Sequence, residues 1–69
     1  MKQLKSIRLA PRLYRVEYQG LILDIAGVTE EGETFWDLFV NSNDYFTWVD
    51  TYATKREALA DIVRIEWEQ

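Results

Sequence analysis

The sequence predicts an α+β fold, an antiparallel sheet of about four strands in a meander with one C-terminal helix packed on one face. Three observations carry this expectation. Apolar and polar residues alternate through residues 14–19 ahead of a mostly apolar run at 21–26, two aromatic and β-branched runs flank a turn at residues 41–44, and the apolar period becomes helical after Thr54.

Residues 2–9 (KQLKSIRL) read as a short strand or arm, stopped by Pro11, whose ring fixes φ and removes a backbone donor. Beyond it Tyr14, Val16 and Tyr18 alternate with Arg15, Glu17 and Gln19, the pattern of a half-buried strand. Gly20 offers a turn, after which Leu21, Leu23 and Ile25 alternate with Ile22, Asp24 and Ala26 to give the second arm of a hairpin. Residues 27–34 (GVTEEGET) are dense in turn and charge signals, with Gly32 free to take a positive φ. Residues 35–41 and 45–52 are strand formers on either side of NSND, and they predict a second hairpin.

Thr54 and Glu57 then form a capping box, in which the Thr hydroxyl accepts from the backbone N–H of the third helical residue and the Glu carboxylate reaches back. Ala58, Leu59, Ile62, Val63 and Ile65 recur at helical spacing, opposite Glu57, Asp61, Arg64 and Glu68, so a helix is expected from Lys55 to Trp67. One helix covers one side of a sheet; the other side is left to water or a partner.

A chain of 69 residues is expected to form a single domain over residues 1–69, since chains this short bury only about 60% of their unfolded surface around one core. With no Cys and no His, disulfides and the usual zinc and haem ligands are excluded, and no cofactor or metal is expected. Packing must stabilise the fold, and the material is present: 48% of residues are apolar, including three Trp, three Phe and four Tyr. No stretch approaches the roughly 18–20 apolar residues of a membrane span, and residues 1–5 do not lead into a signal-like run, so a cytoplasmic protein without membrane contact is expected.

Charge order is more informative than the net charge of −4. Residues 1–15 hold five bases and no acid, whereas residues 16–54 hold eight acids and no base. Those acids are Glu17, Asp24, Glu30, Glu31, Glu33, Asp37, Asp44 and Asp50. Glu30, Glu31 and Glu33 crowd one loop without a neighbouring base in sequence, a docking point for a basic surface. Carboxylates two residues apart on one strand lie roughly 6.7 Å apart, close to the phosphate spacing of a nucleic-acid strand. The alternation sets Glu17, Asp24 and Asp37, with Ile22, Phe35 and Phe39, on the face opposite Tyr14, Leu23, Trp36 and Leu38. A face that mixes carboxylates with exposed aromatics suits protein binding. Two other roles stand beside this one: the carboxylates solvate strand faces and loops, or the basic N-terminal strand lies against an acidic one and neutralises part of its field.

Catalysis is not expected. Ser6 and Ser42 have no His to activate them, and a domain this small lacks the deep pocket that drives two carboxylate pKa values apart. Direct nucleic-acid binding through Phe35, Phe39, Phe46 and Trp48 is opposed by the acidic middle, which leaves core packing as the expected job of most of these aromatics.

In type, the chain resembles the small acidic anti-defence proteins of phages and mobile elements, notably anti-CRISPR proteins: a compact, Cys-free strand-and-helix domain with a carboxylate array formed by Glu30, Glu31, Glu33, Asp37, Asp44 and Asp50. No residue motif carries that resemblance. It implies DNA mimicry, with carboxylates occupying the basic groove of a DNA-handling host protein or surveillance complex, and a host-cell cytoplasmic location. The leading expectation is therefore a non-enzymatic inhibitor or adaptor, monomeric or homodimeric, whose partner-binding residues are the eight acids above with Phe35 and Phe39. The alternatives are a self-associating structural or adaptor protein and a small nucleic-acid-binding domain using the N-terminal bases.

Overall fold

Tight reversals in the left-handed region set the strand order. A computed structural model describes residues 4–43 and 45–67. Among the described residues, five strands and one helix follow in chain order: β1 (Ile7–Ala10), β2 (Leu13–Tyr18), β3 (Leu21–Glu30), β4 (Glu33–Ser42), β5 (Tyr45–Tyr52) and α1 (Lys55–Ile62). Gln19 and Gly20 take φ of 51° and 80°, and Glu31 and Gly32 take 50° and 81°. Two consecutive positive φ values match the right-handed twist of the strands they join, so both links are two-residue hairpins.

The strands pair antiparallel with their sequence neighbours, giving a meander in the order β1-β2-β3-β4-β5. The meander is as expected; the strand number is five rather than about four. The fifth is the N-terminal arm, which Pro11 does not release from the sheet. Arg12 turns the chain with φ of 65°, and Ile7 comes opposite Arg15 and Arg8 opposite Tyr14.

Helix α1 is shorter than the sequence predicts, closing at Ile62 rather than Trp67. The Thr54 hydroxyl accepts from the backbone N–H of Glu57 at 3.1 Å, fixing the start. At the other end the N–H groups of Arg64 and Ile65 both turn back to the Asp61 carbonyl, and the Trp67 indole N–H donates to the Ile62 carbonyl at 2.9 Å. That side chain satisfies a carbonyl the helix leaves unpaired, as a C-terminal end requires. Val63, expected on the apolar stripe, is exposed.

The core lies between α1 and one face of the sheet. Val16, Leu23, Ile25 and Leu38 from β2, β3 and β4 meet Ala58 and Ile62 of α1, all at 1% exposure or less. Tyr14, Tyr18, Trp36, Val40, Val49 and Tyr52 surround them, and Leu59, Ile65 and Trp67 close the helical side. Two further contacts fasten the helix to the sheet. The Lys55 ammonium sits 3.6 Å from the Tyr14 ring centroid, and the Tyr52 hydroxyl donates to the Asp61 carboxylate.

Gly27 lies opposite Trp36, where an added Cβ would meet the indole at 3.0 Å and the Arg12 Cβ at 3.1 Å. Its own N–H donates to the Arg12 carbonyl at 2.7 Å, so the backbone has no room to retreat. Gly27→Ala is expected to cost about 1–3 kcal/mol in urea unfolding through overpacking; an unchanged midpoint would show that the indole does not lie over this glycine.

Burial and the Asp61 hydrogen bond raise the Tyr52 ionisation well above its ordinary value of 10.0. The folded chain thus holds that proton more tightly than the unfolded chain. This contribution is whole below pH about 10 and fades as pH rises above it through the folded-state value. Tyr52→Phe should flatten the fall in stability above pH about 10, measured by urea midpoints across an alkaline series; an alkaline slope identical to that of the parent chain would contradict the assignment.

The open sheet face and the acidic hairpin tip

Side chains alternate across a strand, so residues neighbouring the core set point away from the helix. Register places Arg15 opposite Asp24, Glu17 opposite Ile22, Asp24 opposite Phe39, Ala26 opposite Asp37 and Val28 opposite Phe35. Glu17, Asp24 and Asp37 therefore share the uncovered face with Ile22, Phe35 and Phe39, as the alternation predicts. Beyond β4, Phe39 lies opposite Trp48 and Asn41 opposite Phe46, so both β5 aromatics join this face.

The carboxylates on the face are not equivalent. Asp24 is 3% exposed, with the Arg15 Nε at 2.8 Å and the guanidinium's second nitrogen at 3.3 Å. Expected to contact a partner, Asp24 is instead consumed internally, because β2 places a base directly across from it; neutralisation by a neighbouring basic strand operates here. The hydrogen bond and charge of Asp24 in turn hold Arg15 above its ordinary pKa. Asp37 is half-buried and accepts from the Thr51 hydroxyl at 2.6 Å. Glu17 remains exposed, as does Asp50, whose carboxylate accepts the Thr51 N–H at 2.8 Å. Asp44 lies outside the described residues.

At the far end of the sheet the acidic cluster gathers at a two-residue turn rather than in a loop over residues 27–34, because β3 runs on to Glu30 and β4 begins at Glu33. Glu30 and Glu33 are cross-strand partners, Glu31 occupies the turn between them, and all three are exposed. Like charges placed directly opposite are unfavourable, and among the described residues no ion pair reaches any of the three. A base does approach. The Arg12 guanidinium donates to the Thr29 hydroxyl at 2.6 Å, beside Glu30, and the Thr29 hydroxyl lies 3.1 Å from that of Thr34. The tip is therefore less isolated than the sequence order suggests.

Glu17 sits level with Ile22, eight residues along β3 from Glu30, which at about 3.3 Å per residue places it roughly 26 Å from the tip. The acids do not form one continuous phosphate-like ladder. They divide into a tip cluster and isolated positions on the face.

Between these positions the face is apolar. Phe46 and Trp48 are 59% and 57% exposed, Ile22 and Val28 are each 39% exposed, and Phe35 and Phe39 are half-buried. Assigning most of these aromatics to the core is incorrect: Phe35, Phe39, Phe46 and Trp48 all lie on the uncovered face, outside the core set. A register shift in β5 sets Val49 and Asp50 together near Leu38, so that Thr47, still exposed, and Val49 take the helix side of the sheet while Phe46 and Trp48 take the open side. Phe39 and Phe46 meet edge to face at 6.5 Å, and the Trp48 indole N–H donates to the Thr51 hydroxyl at 3.3 Å. The alternation of Phe46 and Trp48 with Thr47 and Val49 carried the signal, obscured because every residue from 45 to 49 is a strand former.

Among the described residues no group of three potential metal ligands occurs, and no helix is long and apolar enough to cross a membrane. No family model matches the chain, and no curated protein or solved structure matches it significantly.

Removing Arg15 alone leaves a buried carboxylate without its partner, whereas removing both charges restores an apolar contact. Arg15→Leu should therefore lower the urea midpoint more than the double variant Arg15→Leu/Asp24→Leu. A double variant less stable than the single one would contradict the pairing.

Proposed function

We propose that the chain is a non-enzymatic protein-binding domain, an inhibitor or adaptor that lays its open sheet face on a partner and engages a basic, DNA-handling surface with its acidic tip. The observation that supports this most is the junction of two features on one molecule: an uncovered face bearing Ile22, Val28, Phe46 and Trp48, and a turn presenting Glu30, Glu31 and Glu33 without an ion pair among the described residues. An apolar centre with a charged rim is the common anatomy of a binding surface, in which the centre supplies affinity and the rim supplies steering. Mimicry of DNA phosphates is confined in this reading to the tip, since Asp24 is neutralised and Glu17 stands at the opposite end. The anti-CRISPR-type inhibitor is the version in which the partner is a nuclease or surveillance complex.

The tip and the face make separable contributions. Reversal of Glu30, Glu31 and Glu33 to Lys should abolish capture of the partner from host lysate, and duplex DNA should displace the parent chain from it. Retention of the same protein by the reversed variant, or indifference to DNA, would refute the basic-surface assignment. Once the partner is purified, raising salt from about 0.05 to about 0.5 M should slow association more than tenfold while changing dissociation little. Trp48→Ala should do the reverse, accelerating dissociation. A Trp48→Ala variant with parent-like dissociation would remove the face from the interface.

A further inference from the structure

We propose that β5 is a dimerisation edge, pairing antiparallel with β5 of a second copy of this chain about a twofold axis through Thr47. The two edges of the sheet differ. β1 has four residues, carries Arg8, breaks register between Arg8 and Ala10, and is flanked by Lys5 and Pro11. Short length, basic charge, irregular pairing and proline each discourage strand addition. β5 has eight residues, and from Tyr45 to Val49 it carries no charge, proline or glycine. Tyr45, Phe46 and Trp48 are 78%, 59% and 57% exposed, so α1 leaves this half of the strand uncovered. Among the described residues no strand pairs with the outer side of β5; beyond this half of the strand, the Thr51 N–H is already taken by the Asp50 carboxylate.

Three properties select a second copy as the occupant. Directly opposed residues in an antiparallel pair share a face, so a twofold axis normal to the sheet must pass through a residue rather than between two. Centred on Thr47, the pairing sets Phe46 of one copy opposite Trp48 of the other on the open face, an aromatic cross-strand pair made twice. No charge meets a like charge within residues 45–49, where Tyr45 lies opposite Val49; Asp44 and Asp50 stand just outside that segment in the sequence, and their like charges confine the pairing to these five residues. The axis also inverts strand direction, sending the two acidic tips to opposite ends of a continuous ten-stranded sheet. Each tip begins several residues beyond Tyr52, so the carboxylate clusters are separated by far more than a Debye length of about 8 Å.

The pair would join two open faces into one, with four edge aromatics at its centre. Five paired residues per strand bury less than the roughly 1,200 Å² of a standard interface, so the dimer should dissociate on dilution.

Sedimentation equilibrium of the purified chain should report a mass moving from one chain towards two as concentration rises. Thr47→Lys should stay monomeric with an unchanged circular-dichroism spectrum, because it places two ammonium groups at the axis. As the parent has no cysteine, Thr47→Cys should form a disulfide-linked dimer on mild oxidation, its two Cα atoms lying about 4.5–5.5 Å apart across the axis. Glu33→Cys, at the tip, should remain monomeric under the same conditions. A parent chain monomeric up to about 1 mM, a dimer insensitive to Thr47→Lys, or equal cross-linking at positions 47 and 33 would overturn the proposal. If Thr47→Lys fails to fold, the cysteine pair still decides. These measurements use the chain alone, so their failure leaves the heterologous partner untouched, and loss of that partner leaves the dimer standing.

Discussion

Burial of Ala58 and Ile62 of α1 against Val16, Leu23, Ile25 and Leu38 is the contact on which the rest of the molecule depends. A meander of five strands has two faces, and among the described residues one short helix is there to cover them. The core is consequently one-sided, and stability comes from a few fully buried aliphatic side chains reinforced by large aromatics at the margins. Among the described residues no layer covers the other face. Two polar anchors, Lys55 over Tyr14 and Tyr52 to Asp61, keep the helix on its side of the sheet.

That asymmetry also governs the electrostatics. The sequence separates bases before residue 16 from acids after it, yet the meander folds the basic end back against the acidic middle. Arg15 meets Asp24 and removes one carboxylate from the surface, and Arg12 reaches Thr29 next to the acidic turn. The two groups of acids that escape are the hairpin tip, which projects beyond the basic strands, and exposed single residues such as Glu17. Charge order along a chain thus overstates charge segregation in space whenever neighbouring strands carry opposite signs.

Much of the fold was legible because it rests on local signals. Alternation in residues 14–19, the mostly apolar run at 21–26, the glycines at the two hairpins and the Thr54–Glu57 cap each specify local geometry, and the register that puts Glu17, Asp24 and Asp37 opposite the core follows from alternation alone. What differs from the expectation depends on pairings that periodicity does not encode. The N-terminal segment, open between strand and arm, is a strand because β2 offers it a partner, and α1 ends early where Trp67 folds back on Ile62. The outward direction of Phe46 and Trp48 depends on a register shift opposite Leu38, invisible in a run made entirely of strand formers. Asp24 carried no sequence mark separating it from the free acids, since its burial comes from the cross-strand guanidinium.

The two faces are physically unlike, one sealed by α1 and the other presenting aromatics to solvent. Hydroxyl-radical footprinting of the dilute, purified chain, read residue by residue in mass spectrometry, tests this most directly. Phe46 and Trp48 should be heavily modified, with Leu23, Ile25 and Leu38 protected. Protection of Phe46 and Trp48 together with labelling of the Leu23–Leu38 side would mean that the sheet is covered on its other face, and the binding surface would have to be sought elsewhere.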